Sequence, residues 1–109
     1  MESTTYRDPA VNMRATLLDA ISAPGNGEWC STEGFDKFSI HLVKESGATL
    51  TGGQLYVSNE PAPPAAGGVA YGAAVSASAI IEIKIPIRWI RFAVGGLTGA
   101  KVSAYLEAV

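Results

Sequence analysis

The sequence of 109 residues contains little of what most enzymes and metalloproteins need. It has one cysteine, Cys30, and one histidine, His41. A single cysteine excludes an internal disulfide and a cysteine-based zinc cage, and a single imidazole leaves too few ligands for most metal sites. Neither residue has an evident partner along the chain that would make it a nucleophile or a general base. The sequence therefore predicts a non-enzymatic protein with no catalytic residues, no cofactor and no metal.

Charge is also scarce. Charged residues make up 17% of the chain, below the roughly 25% of a typical soluble domain. Ten acidic and eight basic residues give a net charge of −2, whereas a nucleic-acid-binding domain normally carries a basic excess on one face. We therefore expect no nucleic-acid partner. The basic residues Lys84, Arg88 and Arg91 are expected to protect a strand edge or to pair with Glu82 and Glu107.

Long apolar runs are missing as well. The first residues are polar and lack the basic and apolar regions of a signal peptide. The uncharged segment 61–81 is built mainly from proline, glycine and alanine, with no Leu, Ile or Phe before Ile80. Such a segment is too weakly hydrophobic to cross a bilayer. We expect synthesis in a reducing cytoplasm and no membrane partner.

The apolar residues that are present alternate with polar ones, which is the period of β-strands. The pattern predicts strands at residues 14–22, 35–45, 54–59 and 101–107, and two strands with little between them at 81–94. Glycine-rich runs at 51–53 and 95–100 are interpreted as turns. Roughly six to eight strands without a convincing helix indicate an all-β chain. The expected fold is a single antiparallel β-sandwich, jelly-roll-like, at residues 13–109.

A change of parity occurs at Pro86. Up to Ile87 the apolar residues occupy odd-numbered positions, and from Ile90 they occupy even-numbered positions. The first set is Ile81, Ile83, Ile85 and Ile87, and the second is Ile90, Phe92 and Val94. A proline inside a strand pattern marks an edge, a bend or the junction of two strands. The switch of parity predicts a bulge or a corner at which the chain changes sheets. In the closing strand, Val102, Ala104 and Leu106 are expected to face inward.

Apolar surface exceeds what one small core needs, which predicts a subunit of an assembly. Residues 1–12 have no periodic pattern and are interpreted as an extended arm that orders against a partner, and residues 61–68 as a long loop. The candidate partner-contact residues lie in these segments and on one strand: Tyr6, Arg7, Pro9, Pro61, Pro63, Pro64 and Trp89. The exposed aromatic candidates are too scattered to define a sugar-stacking platform and are interpreted as packing or protein contacts: Trp29, Tyr56, Tyr71, Trp89 and Tyr105.

Four stretches of the sequence resemble small virion proteins of tailed bacteriophages. They are residues 38–42 (FSIHL), 52–59 (GGQLYVSN), 89–94 (WIRFAV) and 99–106 (GAKVSAYL). Chains of that group share a strand ending in Ser-Asn, a later Trp/Tyr-Ile-Arg strand and a closing strand of the Val-Ser-X-Tyr-Leu kind. The resemblance covers most of residues 35–108, and the loop at 61–68 departs from the pattern.

The resemblance implies a jelly-roll-like cement or decoration protein on the capsid surface. Such proteins sit as trimers or dimers over capsomer junctions and resist the pressure of packaged DNA. The implied partners are the major capsid protein and further copies of the chain, as a homotrimer or a dimer. The implied location is the virion, after synthesis in the host cytoplasm. No residue-level site carries over.

Two other functions stay open on the sequence alone. The first is a tail or fibre component, or a carbohydrate- or receptor-binding β-sandwich, because exposed tryptophans can stack on sugars. The second is a ligand-binding or enzymatic jelly roll, which the shortage of histidines disfavours.

Overall fold

A computed structural model describes the backbone of residues 5–7 and, in full, residues 13–64 and 67–109. Within these residues the chain forms ten β-strands and no helix. The strands are β1 (Thr5–Arg7), β2 (Met13–Ile21), β3 (Gly25–Asn26), β4 (Cys30–Ser31), β5 (Phe38–Lys44), β6 (Thr49–Ser58), β7 (Val69–Val75), β8 (Ala79–Ile83), β9 (Trp89–Thr98) and β10 (Val102–Ala108). The all-β prediction is confirmed, and no helix of the described part is long and apolar enough to cross a membrane.

The strands form two antiparallel sheets. The first sheet has the order β1-β2-β10-β5-β8, and the second has the order β3-β9-β6-β7, with β4 also paired to β9. The pairs are nested along the chain, since β2 pairs with β10, β3 and β4 with β9, β5 with β8, and β6 with β7. If β3 and β4 are counted as one interrupted strand, these pairs give the eight-stranded, two-sheet arrangement of a jelly roll.

The core lies between the sheets and is built from alternate positions of the strands. In β5, Phe38, Ile40 and Leu42 are buried, as the period of 2 predicts. The closing strand also follows its prediction, because its inward set is buried while Tyr105 and Glu107 are exposed. In β9 the buried set is Ile90, Phe92 and Val94, joined by Ala93 and Leu97.

The chain changes sheets between β8 and β9. Strand β8 pairs with β5 in the first sheet, and β9 pairs with β6 in the second, so the corner predicted at Pro86 is confirmed. The corner is held by Thr32, whose Oγ1 donates a hydrogen bond of 2.6 Å to the Ile87 carbonyl. Ile85 and Ile87 share a parity in the sequence, but Ile85 is 54% exposed and Ile87 only 5%.

The turn predicted at residues 95–100 is wrong in its extent. Strand β9 continues through Gly95 and Gly96 to Thr98, and only Gly99 and Ala100 form the turn. The reason lies in the partner strand, where Gly96 is opposite Thr51. A Cβ on Gly96 would collide with the Thr51 side chain, so glycine allows the strands to approach there. Strand β6 likewise begins at Thr49, and glycines 52 and 53 lie inside it.

Four strands were not predicted from the sequence, namely β1, β3, β4 and β7. Residues 5–7 of the proposed arm form β1, which pairs with β2 and places Tyr6 opposite Arg14. The rest of that arm lies outside the described residues. Strand β7 pairs with β6, and its register shifts near Gly72. There Gln54 Nε2 donates hydrogen bonds to the carbonyls of Tyr71 and Gly72, at 3.1 and 3.2 Å.

The two isoleucines that flank Pro86 provide a matched test of the corner. Ile87→Ala should lower the free energy of unfolding by about 2–5 kcal/mol, because it leaves a cavity in the core. Ile85→Ala should change it by less than about 0.5 kcal/mol, because its side chain is largely in solvent. Urea unfolding of the two variants measures both values. Equal losses would contradict the described corner.

Candidate interaction surface

Four of the candidate contact residues come together at one end of the second sheet. The segment after β6 contains the prolines of the predicted loop, and we call residues 59–64 the proline loop. Trp89, at the start of β9, donates a hydrogen bond of 3.1 Å from Nε1 to the Glu60 carbonyl. Pro61 and Pro63 are exposed, and Pro64 is buried. The loop and Trp89 therefore form one surface.

The first half of the proline loop is fastened to the corner between the sheets. Asn59 Oδ1 accepts a hydrogen bond of 2.7 Å from the Arg88 amide, and Asn59 Nδ2 donates one of 3.3 Å to the Pro86 carbonyl. The Ser58 hydroxyl donates to a carboxylate oxygen of Glu60 at 2.9 Å. Because each proline also fixes its own φ, the loop has few alternative conformations to lose on binding.

After the proline loop, the chain rejoins the second sheet beside Arg91, whose guanidinium lies between two aromatic rings. The Arg91 guanidinium carbon lies 4.7 Å from the Trp29 ring centre and 5.6 Å from that of Tyr56. These distances are those of cation–π contacts. Tyr56 is directly opposite Arg91 in the β6–β9 ladder, and Trp29 immediately precedes β4. We call these three side chains the arginine stack.

Two glycines cover the arginine stack. A Cβ built on Gly68 would lie 2.6 Å from Trp29 Cη2 and 2.7 Å from the Val57 carbonyl oxygen, and Gly68 has a φ of +71°. One built on Gly67 would lie 3.4 Å from an Arg91 Nη. Only glycine combines this backbone conformation with so close an approach. The return of the loop is thus fixed by packing against the stack.

The three basic residues that are near one another in the sequence have different neighbours in the fold. Lys84 Nζ lies 3.9 Å from Glu82, one of the two partners the sequence suggested, and an Arg88 Nη lies 3.8 Å from Glu33. Arg91 contacts aromatic rings, and its buried Nε has no hydrogen-bond partner. Lys84 and Arg88 therefore each lie near a different carboxylate, whereas Arg91 stacks on aromatic rings.

The aromatic residues that are scattered in the sequence occupy three places in the fold, namely the outer face of each sheet and the edge of the core. Trp29 and Tyr56 both contact Arg91. Trp89 lies two residues before Arg91 in β9, so both side chains are on the outer face of the second sheet. Tyr71 packs against the core. Tyr105 lies on the outer face of the first sheet. The contact between residues 29, 56 and 91 has no signal in the sequence, because it depends on the pairing of distant strands.

A second surface is an open depression of about 430 Å³ on the outer face of the first sheet. Thr16, Tyr105, His41 and Ile80 are neighbours in one row across β2, β10, β5 and β8. Arg14 and Glu107 lie at its rim, with Arg14 Nε 3.8 Å from a Glu107 carboxylate oxygen. We call this depression the concave face. Its lining includes Arg14, Thr16, His41, Ile80, Tyr105 and Glu107.

The remaining candidates are the cysteine, the histidine and the residues of the N-terminal segment. Cys30 is buried in β4, whereas His41 is exposed on the concave face. No three of the described His, Cys, Asp and Glu residues are grouped so as to hold a metal ion. Tyr6 and Arg7 belong to the edge strand β1. Pro9 lies outside the described residues.

No protein-family model matches the sequence, and no curated protein matches it. Among solved structures, the crystal structure of the SPBc2 prophage-derived protein YomS is similar to this chain, with a TM-score of 0.67 and 15% sequence identity. The alignment covers 98% of this chain and 92% of that chain. The two chains share one fold. The similarity includes both sheets, and with them the strands that carry the two surfaces.

Gly68→Ala tests whether the arginine stack fixes the return of the loop. The substitution adds a Cβ against Trp29 and the Val57 carbonyl, in addition to the cost of about 1–2 kcal/mol for a left-handed backbone. Gly34→Ala is the matched control, because Gly34 has a φ of +97° and open space around its Cβ position. Gly68→Ala should lower the free energy of unfolding by clearly more than the control, measured in urea. Equal losses would show that the stack does not constrain Gly68.

Proposed function

We propose that this chain is a structural protein of a tailed-bacteriophage virion, of the capsid cement or decoration type. The observation that carries the proposal is the fold shared with a prophage-derived protein along nearly the whole of both chains. The sequence resemblance to small virion proteins of tailed phages supports it independently. The role is non-enzymatic: the chain oligomerises and clamps neighbouring major capsid subunits.

The two surfaces fit a clamp better than a ligand-binding domain. The proline loop presents exposed apolar side chains on a backbone that is already held in place, which favours contact with another protein. The concave face is open to solvent, unlike the enclosed pockets that bury most of a small ligand. In this proposal the segment 1–12 reaches the capsid shell and the proline loop is a second contact element.

The proposed mechanism is thermodynamic linkage. A protein that binds the assembled shell and not its separated subunits stabilises the shell by the free energy of that binding. An oligomer that contacts several capsid subunits at once gains from high effective concentration, so individually weak contacts suffice. The net charge of −2, with acidic and basic residues in similar number, is compatible with a protein partner.

The location of the chain in the particle tests the proposal. Virions assembled from the genome that encodes the chain are purified and labelled with gold-conjugated antibody against it. We expect gold on the heads in electron micrographs. Label confined to the tail would contradict the cement role and favour the tail or fibre alternative. Absence of the chain from purified particles would overturn the virion role altogether.

A truncated gene tests the role of the N-terminal segment in the same particles. A chain that lacks residues 1–12 retains the whole described core, from Met13 to Val109, and should stay folded in the lysate. It should leave the heads unlabelled, and such heads should release their DNA at a lower temperature than heads with the full chain. Full labelling by the truncated chain would show that residues 1–12 are not needed for attachment.

A further inference from the structure

We propose that the proline loop of one copy of this chain docks into the concave face of the next, so that copies join head to tail. The inference deepens the self-association assumed in the proposed function and names its two surfaces. Each surface supplies what the other lacks, because the prolines of the loop are exposed and the concave face is hollow.

The loop is suited to insertion. Pro61 and Pro63 are exposed, while the neighbouring Pro64 is buried and Asn59 and Trp89 fasten the first half of the loop. Prolines lose little conformational entropy on binding, because each has a fixed φ, and their rings pack well on aromatic side chains. No charge follows Glu60 until Glu82, so the projecting part buries no ion.

The concave face offers the chemistry that such a segment needs. Tyr105 is 46% exposed and Ile80 is 63% exposed, and the His41 ring is between them in the row across the sheet. An aromatic ring beside an aliphatic side chain provides the apolar walls on which proline rings pack. Removal of these apolar side chains from water by a docked partner would be favourable in free energy.

Charge complementarity supports a second copy as the occupant. Glu60 is exposed next to the prolines, and Arg14 is exposed at the rim of the concave face. The Arg14 side chain is 66% exposed and lies 3.8 Å from Glu107, so its guanidinium has room for a second carboxylate. Glu60 of the inserted loop provides that carboxylate. Two concave faces set against each other would instead leave a void between them.

The positions of the two surfaces determine the symmetry. The loop contacts Trp89 and is followed by glycines on the outer side of the second sheet, whereas the concave face is the outer side of the first sheet. Surfaces on opposite sides of a sandwich cannot both face the same partner. A contact between two different surfaces continues from copy to copy, in a ring if the rotation between neighbouring copies closes and in an open chain if it does not.

Light scattering of the purified chain at several concentrations tests the head-to-tail association. We expect a mass at least three times the 11.3 kDa of one chain. Pro61→Glu with Pro63→Glu disables the loop, and Ile80→Glu with Tyr105→Ala disables the concave face, so each double variant should be a monomer. The matched controls are Pro24→Glu and Ile85→Glu, at an exposed proline and an exposed isoleucine outside the two surfaces, and both should keep the full mass.

Mixing the two double variants gives the sharper result. The loop variant still has an intact concave face, and the other variant still has an intact loop, so one good contact remains between them. The mixture should form a complex of one chain each and go no further. A wild-type monomer, a wild-type two-fold dimer, or an oligomer that ignores both double variants would overturn the inference. Unfolding in urea checks that each variant is folded.

The two proposals can fail separately. A chain that is monomeric in solution but labels phage heads would refute the head-to-tail contact and leave the cement role standing. A chain that associates head to tail through these two surfaces but is absent from purified particles would refute the cement role and leave the contact standing.

Discussion

The sharing of one core between two sheets is the constraint from which the rest of this structure follows. Each sheet buries one parity of its side chains, and among the described residues no further layer covers the other parity. The outer face of each sheet is therefore free to differ. On the second sheet that face holds the arginine stack and the proline loop, and on the first it is concave and partly apolar.

The arginine stack explains how a loop rich in proline and glycine can be well placed on such a small domain. A planar guanidinium can lie on aromatic rings in a way that an ammonium group cannot, so Arg91 suits its position between Trp29 and Tyr56. The stack gives Gly68 a flat surface to pack on, and Asn59 fastens the other side of the loop. The same prolines that break the strand pattern thus project from a fixed base.

Much of the fold could be predicted from the sequence, because period-2 alternation is strong where one face of a strand is buried. The inward sets of β5, β9 and β10 and the corner at Pro86 are of this kind. Strand β7 could not be predicted, since alanine and glycine give no alternation, and glycines 95 and 96 have the composition of a turn. Their place in β9 depends on Thr51 of the opposite strand, which is far away in the sequence.

The candidate site was predictable only in part. The proline loop and Trp89 were both candidates from the sequence, and the structure brings them together through Glu60. The contacts of Trp29 and Tyr56 with Arg91 were not predictable, and neither was the row that joins Tyr105 to His41 and Ile80. Each depends on register between strands that are distant along the chain. Sequence pattern fixes which residues face outward, and pairing decides which of them are neighbours.

Disulfide trapping tests the central claim, that the projecting loop of one copy is seated in the hollow face of the next, most directly. Ala62→Cys in the loop is combined with His41→Cys in the concave face, and the native Cys30 is buried. Mild oxidation should give covalent oligomers on a non-reducing gel, with intermolecular 41–62 links identified by mass spectrometry. Ala62→Cys combined with Ile85→Cys is the control and should remain largely unlinked. Equal cross-linking of the two pairs, or none with 41–62, would contradict the account.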